Sequence, residues 1–385
     1  MPEDMTTSNN CPAFRNPSSI LILTAAFGEG HNAASRNLRT ALLERSPTSR
    51  VEIHDVFQES YGWRHEILRK GYSALINHLP AVWNQVFDVM DKTPIGSSSA
   101  RIFSTALERL HDLLLETTPT VVINTFPGYG ILLDSLHKKG LKRTYWNITL
   151  LTDSITINSL WYRSDSDTFI TPNLQTSAVL EKAGIPRHKI HPLGFPVSPT
   201  FSKISTHKLP PLSGEKWKIL YMVNAAHRRA PSLTKRLLTL KNAEITVTVG
   251  KNEALGKTLN QLSHSQQPFE IHGWTPHMPR LIGRSHVLIG KAGGATVQEA
   301  LAGRTPLLIT QIVPGQEEGN GQLILENGAG TFASKGPQII AKLEEAFAEE
   351  GLLWKKWFHA ASSLSQPNAA LNIADFILTQ KIQSS

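Results

Sequence analysis

Glycines, a helix start and a cluster of amide and carboxylate side chains come together in two nearby stretches of this chain. The first is Ile289-Gly-Lys-Ala-Gly-Gly-Ala-Thr-Val-Gln-Glu-Ala300; the second is Pro314-Gly-Gln-Glu-Glu-Gly-Asn320. An apolar strand, Val287 to Ile289, runs into Gly293-Gly294, and a helix is expected to open at Thr296. A helix start offers free backbone N–H groups and a partial positive charge, both suited to phosphate. Paired glycines let backbone approach a ligand that a side chain would block. The second stretch supplies Gln316, Glu317 and Asn320 after another apolar strand, Pro306 to Thr310. Amides and carboxylates fix sugar hydroxyls, and a turn by itself has little need of so many of them. Together the stretches read as one site for a phosphate-bearing, hydroxyl-rich molecule. Thr296-Val-Gln-Glu299 also fits a capping box, in which Thr296 caps the helix and Glu299 bonds back to it. Spacing alone does not choose between that role and a ligand contact for Glu299.

The first half of the chain carries a second group. Gly28-Glu29-Gly30-His31 follows an apolar strand, so its imidazole stands at a strand end, where it can exchange hydrogen bonds with a hydroxyl. The turn is not a full dinucleotide fingerprint, because Ala33 occupies the third glycine position. Asp165-Ser-Asp167 has the spacing of a metal-holding pair, yet it lies in a polar loop without further oxygen ligands nearby in sequence. A solvated loop is the expectation, with no metal.

The elements that position these groups follow from apolar patterning. Strands are expected at Ser18 to Ala26, Val51 to Val56, Thr120 to Asn124, Tyr145 to Leu151, Thr168 to Ile170 and His191 to Gly194, with helices at Asn32 to Arg45 and Asn173 to Ala183 between them. Residues 197–217 are rich in Pro and Ser, a linker composition. The alternation then restarts at Lys218 to Val223, Ile245 to Gly250 and Phe269 to Ile271, and a helix from Asn368 to Gln380 ends it. Strands alternating with helices imply parallel sheets covered on both faces. The expected fold is therefore α/β, two doubly wound domains across a cleft. The expected boundaries are a tail at 1–17, a first domain at 18–200, a linker at 201–217, a second domain at 218–365 and a closing segment at 366–385.

Composition narrows the class. With 385 residues, 40% hydrophobic and 18% charged, the chain has the makeup of a multidomain globular protein. No stretch nears the roughly 18 apolar residues that cross a bilayer, and residues 1–17 lack the apolar core of a signal peptide. The one cysteine, Cys11, excludes an intrachain disulfide. A formal charge of +8 attracts anions, but no nucleic-acid-binding motif accompanies it, so nucleic acid is not an expected partner. Residues 60–92 break the alternation. Leu68, Tyr72, Leu75 and Leu79 form one helical stripe beside Arg64, Arg69 and Lys70, with Tyr61, Trp63 and Trp83 close by in sequence. Such a stripe suits either a membrane interface or an ordinary core-facing helix.

These residues resemble a known family, the monogalactosyldiacylglycerol synthases and processive diacylglycerol glucosyltransferases. They are similar at greater distance to the GlcNAc transferase of the peptidoglycan lipid precursor. The resemblance rests on His272-Gly-Trp…Met278, Gly-Lys-Ala-Gly-Gly-Ala-Thr-x-x-Glu-Ala, Pro-Gly-Gln-Glu-Glu-Gly-Asn, Glu326-Asn-Gly-Ala-Gly330, Gly28-x-Gly-His31 and Thr152-Asp153. It implies a GT-B fold whose closing helix crosses back to the first domain, and a UDP-hexose donor with no cofactor or metal. By motif, Trp274 and Thr275 read uracil, and Gly293, Gly294, Ala295 and Thr296 cradle the diphosphate beside Gly30. Glu299 holds ribose, while Gln316, Glu317 and Asn320 hold the hexose. His31 falls at the family's essential histidine and is the first choice of base, with Asp153 or Glu29 as second. Residues 60–92, including Tyr61, Trp63, Leu68, Tyr72 and Trp83, match the part that meets acceptor lipid and an anionic membrane surface. Three departures fall mostly on the acceptor side: Phe126-Pro127 for His-Pro and Asn158 before Trp161 in the first domain, with Asn224-Ala-Ala-His-Arg-Arg229 for a glycine-rich loop in the second.

The expected function is inverting transfer of a hexose from a UDP-sugar to a diacylglycerol-type hydroxyl, by a cytoplasmic enzyme held peripherally at the membrane. Three other readings remain open at this point: transfer to a non-lipid or cell-wall acceptor, epimerisation of UDP-GlcNAc on the same fold, and a silent UDP-sugar sensor. Sugar identity, processivity and oligomeric state have no sequence signature here.

Overall fold

A computed structural model of the chain describes residues 14–15, 19–26, 28–62, 104–212, 214–224, 227–263, 269–315, 317–380 and 382–383. The short strand β1 (Phe14–Arg15) pairs antiparallel with β14 (Ile382–Gln383). The other strands form two six-stranded sheets, parallel throughout.

The first sheet is built from β2 (Ser19–Leu23), β3 (Arg50–His54), β4 (Val121–Asn124), β5 (Trp146–Leu150), β6 (Thr168–Ile170) and β7 (Ile190–His191), in the order β3-β2-β4-β5-β6-β7. β2 lies between two parallel neighbours and is covered on both faces. That is why Ile20, Leu21, Ile22 and Leu23 are apolar without alternation, and all four are buried. From β2 the chain steps to β3 on one side and returns to β4 on the other. The sheet therefore has its switch point between the carboxyl ends of β2 and β4, where ligands bind in such folds. Helix α1 (Glu29–Arg45) starts at that point.

The second sheet contains β8 (Trp217–Met222), β9 (Ala243–Gly250), β10 (Glu270–Gly273), β11 (Val287–Lys291), β12 (Leu307–Gln311) and β13 (Gly330–Phe332), in the order β10-β9-β8-β11-β12-β13. Its switch point lies between β8 and β11, beside the helix Gly294–Ala302. β13 is the strand that apolar patterning missed. It is three residues long and begins on a glycine, so it carries no periodic signal.

The chain between the sheets is ordered by burial. Val197 and Phe201 are buried in the first core, and Lys208 is buried against the far end of the Gly294–Ala302 helix. There its amino group donates to Gly303 O (2.5 Å) and Thr305 Oγ1 (2.7 Å), and burial, helped by Arg304, pulls it down to about 7. The last helix, Ala369–Thr379, returns to α1 and buries Ile373, Ala374 and Ile377 with Leu38, Ala41 and Leu42. Arg45 and Asp375 form an ion pair at 2.9 Å across that packing, and Phe376 lies 4.5 Å from the His191 ring. No helix among the described residues is long and apolar enough to cross a membrane.

Candidate active site

α1 starts at Glu29, three residues before the Asn32 that apolar periodicity suggests, so His31 sits in its first turn, and its side chain is buried. Nδ1 lies 2.7 Å from Thr125 O at the end of β4 and 2.9 Å from Thr152 Oγ1. A carbonyl only accepts, so Nδ1 carries the proton and Nε2 keeps a lone pair, the tautomer that a general base needs. The Phe126 ring meets the imidazole edge-on at 5.3 Å and Trp161 lies 6.1 Å away. Burial pushes the imidazole below its usual range, against the opposing pull of Asp153 and the Thr125 carbonyl. Asp153 is raised by its own burial, while His31, the Trp161 N–H and Glu317 act on it more weakly. Its Oδ2 accepts from Trp161 Nε1 at 3.0 Å. Asp153 thus works on His31 through its field, since both close contacts of Nδ1 are threonine oxygens. Glu29 stands on the exposed side of α1, where it pairs with Arg36.

Across the cleft, the helix of the second domain begins at Gly294, not Thr296. Gly293, in extended conformation, is the N-cap and no side chain caps the helix. The capping box therefore does not form: Thr296 is already inside the first turn, and its Oγ1 accepts from Asn224 Nδ2 at 3.0 Å. The N–H groups of Gly294, Ala295 and Thr296 lie in the first turn, where a helix has no internal partners for them. A side chain on Gly30 would put its Cβ 3.9 Å from Ala295 N, so that glycine leaves the approach to the cradle open from the first domain.

Lys291, to which sequence reading assigned no role, ends β11 and reaches Glu317 at 2.5 Å. The other oxygen of Glu317 accepts from Val313 N at 3.2 Å. Glu317 does have structural work, closing its own loop, in contrast to the expectation that the turn had little need of it. Asn320 is 1% exposed, and its Oδ1 has no hydrogen-bond partner. An amide oxygen buried in that state costs about 1–3 kcal/mol, which a sugar hydroxyl would offset. Its Nδ2 faces the same helix start, 3.7 Å from where a Cβ on Gly294 would lie. Trp274 is exposed just past the end of β10, and Thr275 Oγ1 accepts from His277 N at 3.1 Å. Gln316, Trp63, Leu68, Tyr72 and Trp83 lie outside the described residues. Tyr61 ends the short helix Val56–Tyr61 and packs on the cluster that holds Phe57 and Tyr129.

Glu299 lies one turn along the same helix, half-buried, and no hydrogen bond or ion pair holds its carboxylate among the described residues. Burial, reinforced by Glu29 across the cleft, raises it to about 7, and Arg36 opposes the shift. Asp165 and Asp167 face Arg143, with Asp165 at 3.5 Å, and Asp167 also accepts from Asn147 N. Those carboxylates brace the loop against β5.

The loop between the halves of the site is tightly fitted. A Cβ on Gly294 would fall 2.8 Å from Thr152 O, and one on Gly319 1.8 Å from Ser154 O. Gln298 Nε2 donates to Ser154 Oγ at 3.3 Å. Ile155 has φ of +60°, a left-handed backbone that costs a β-branched residue about 1–3 kcal/mol. Its N–H donates to Thr176 Oγ1 at 2.9 Å, which pins the strained turn.

The arrangement is thus a buried imidazole across the cleft from an uncapped helix start, each beside the switch point of its sheet. Known proteins share both its sequence and its fold. The Monogalactosyldiacylglycerol (MGDG) synthase profile matches residues 31–197, and that of the glycosyltransferase family 28 C-terminal domain matches 222–350. This chain is a GT-B glycosyltransferase. It is 26% identical over 374 residues to monogalactosyldiacylglycerol synthase 3, chloroplastic, of Arabidopsis thaliana, covering 92% of this chain and 80% of that protein. It is 27% identical over 375 residues to a processive diacylglycerol beta-glucosyltransferase of Bacillus cytotoxicus, covering 95% and 94%. Among solved structures, MurG of Acinetobacter baumannii matches with a TM-score of 0.57 at 13% identity, over 94% of this chain and 99% of that one. A putative UDP-N-acetylglucosamine 2-epimerase of Listeria monocytogenes gives 0.60 at 14% identity, over 96% and 100%. At such identities these two structures bear on the fold alone. The glycosyltransferase's family motifs and its two switch points thus fall on the same residues.

If Glu299 accepts the ribose hydroxyls, its charge state makes the donor side pH-dependent. A carboxylate accepts ribose hydroxyls better than a carboxylic acid does, and the group is protonated below about 7. The KM for the donor is therefore expected to rise as pH falls through 7. Glu299→Gln should give a high and pH-flat KM. Initial rates from pH 5.5 to 8.5 check this, and a wild-type KM that is flat across that range removes Glu299 from donor binding.

Proposed function

We propose that this enzyme transfers a hexose from a UDP-sugar to the hydroxyl of a diacylglycerol-type lipid, with inversion, peripherally at the cytoplasmic face of a membrane. The observation that carries the reading is the buried His31, its Nδ1–H on Thr125, set across the cleft from the uncapped start of the Gly294–Ala302 helix. In this reading the diphosphate lies on the N–H groups of Gly294, Ala295 and Thr296, Glu299 holds ribose, and Trp274 and Thr275 flank the uracil. Asn320, with Gln316 and Glu317, faces the hexose. The acceptor oxygen attacks the anomeric carbon while the bond from that carbon to the diphosphate oxygen breaks. UDP leaves with the electron pair, and the hydroxyl proton passes to His31 Nε2. Charge growing on UDP meets the helix start, with no metal or other cofactor invoked, and the Asp165–Asp167 pair is committed to Arg143.

The lipid acceptor is supported by the relatives named for diacylglycerol and by the rings of Phe126 and Trp161 beside His31. The formal charge of +8 favours an anionic lipid surface. The test is UDP release from several UDP-sugars with and without vesicles holding diacylglycerol and anionic lipid. Release is expected only with diacylglycerol vesicles, and co-sedimentation with them should weaken as salt rises. Release with a soluble acceptor alone, or conversion of the donor sugar without any acceptor, would overturn the lipid reading.

A further inference from the structure

The loop that follows β5 touches both halves of the site at once. Its Thr152 side chain meets Nδ1 of His31 at 2.9 Å, and its Thr152 carbonyl lies against Gly294, the first residue of the donor-side helix. Two residues on, Ser154 Oγ accepts from Gln298 of that helix, and the Ser154 carbonyl lies against Gly319 near the start of the next helix, Glu318–Glu326. Thr152 and Ser154 are both buried, and Ile155 holds the turn in left-handed backbone. Within the first domain Thr176 pins the turn and Trp161 holds Asp153, while Thr152 and Ser154 also reach the second domain.

We infer that residues 152–156 form a wedge that sets the base against the donor helix, with Thr152 as the positioning residue for His31. The inference rests on the reading of His31 as base. Thr125 O and Thr152 Oγ1 share the single Nδ1 proton, so together they hold the ring plane and aim Nε2. Thr125 belongs to the first domain's own strand end, and its hydroxyl is tied back to Leu23 O at 3.0 Å and to Ser35 Oγ. Thr152 is the partner whose backbone also touches the second domain. A shift of the donor helix therefore reaches the imidazole through one residue. Asp153 is the charged group facing His31, and Glu317 acts on Asp153 from the second domain, so charge follows the same route as contact.

The test compares Thr152→Val, which keeps the shape and loses the oxygen, with Thr152→Ser, which restores it. For Thr152→Val, kcat is expected to fall roughly tenfold, as losing one hydrogen bond to the base implies. KM for the donor and UDP affinity by calorimetry should stay within about twofold, since the cradle's N–H groups are untouched. The acid limb of kcat against pH should move to lower pH, because an oxygen that stabilises the imidazolium is gone. Thr152→Ser should return kcat and the pH limb to near wild type. A Thr152→Val enzyme with wild-type kcat and pH profile overturns the inference, and so does a loss of UDP binding equal to the loss of kcat. His31→Ala separates the two readings: if it is active, the base assignment fails. If it is inactive while Thr152→Val is normal, only the positioning role fails.

Discussion

His31→Ala is expected to lower kcat by about 10²–10⁴-fold, the range that a positioned general base contributes. Donor KM should change little, because the hydrogen bonds of His31 go to Thr125 and Thr152 and not to the N–H groups of the Gly294–Ala302 helix. The fold should survive. The residue lies in the first turn of α1, and the hydrophobic burial of that helix is supplied by Leu38, Ala41 and Leu42. In the wild type, kcat should fall on an acid limb below the ordinary histidine range, because burial favours the neutral ring. The sign follows from which form works: in the proposed mechanism neutral His31 takes the proton, and a lowered pKa keeps it neutral to lower pH. Steady-state kinetics with calorimetric UDP binding check both points. A folded His31→Ala enzyme within tenfold of wild-type kcat would move the base to Asp153, the remaining buried titratable group beside the imidazole.

The second large effect lies at the domain contact. Gly319→Ala would put a Cβ 1.8 Å from Ser154 O and 2.4 Å from Thr156 N, inside any allowed separation, and backbone cannot rotate away as a side-chain tip can. The two domains must part by an ångström or more at this point. Displacement of that size between base and donor costs on the order of 10² in rate. One core cluster runs through both domains, holding Ile20 and Ile148 together with Leu288 and Leu323, so the thermal transition should fall while kcat/KM collapses. Gly256→Ala is the control, because its Cβ would meet Val249 at 3.6 Å, an ordinary contact, and activity should hold within about twofold. Equal activity in the two variants would show that the contact with Ser154 has no part in catalysis.

Much of the fold was legible in the sequence because strands in parallel sheets are buried on both faces. Ile20 to Leu23 and Val287 to Ile289 had to be continuous apolar runs, and each such run became a central strand. The Gly293-Gly294 pair could be read as a cradle for the same local reason, since a glycine pair before a helix has few other uses. Local reading failed where two mechanisms share one signature. Thr296-Val-Gln-Glu299 satisfies the capping-box spacing, but Gly293 caps the helix, three residues before Thr296, and Glu299 is left without a cap to bond.

What the sequence by itself determined is the inventory: two sets of parallel strands, a histidine after a glycine turn, a glycine pair before a helix, and the motifs that carry the family. Only the tertiary structure decided which of these meet. Thr125, Thr152 and His31 are far apart in sequence, and their junction exists because β2, β4 and β5 lie side by side with their carboxyl ends level. Lys291 finds Glu317 only across β11 and β12, and Gly319 reveals its purpose only against a carbonyl from the other domain. Periodicity records whether a residue is buried, because burial depends on the local face. It holds no record of the partner, because that is set by strand order and by how two finished domains close on each other. The uncapped helix start that was visible from the glycines is therefore half of a site, and the wedge at Thr152 to Thr156 makes it whole.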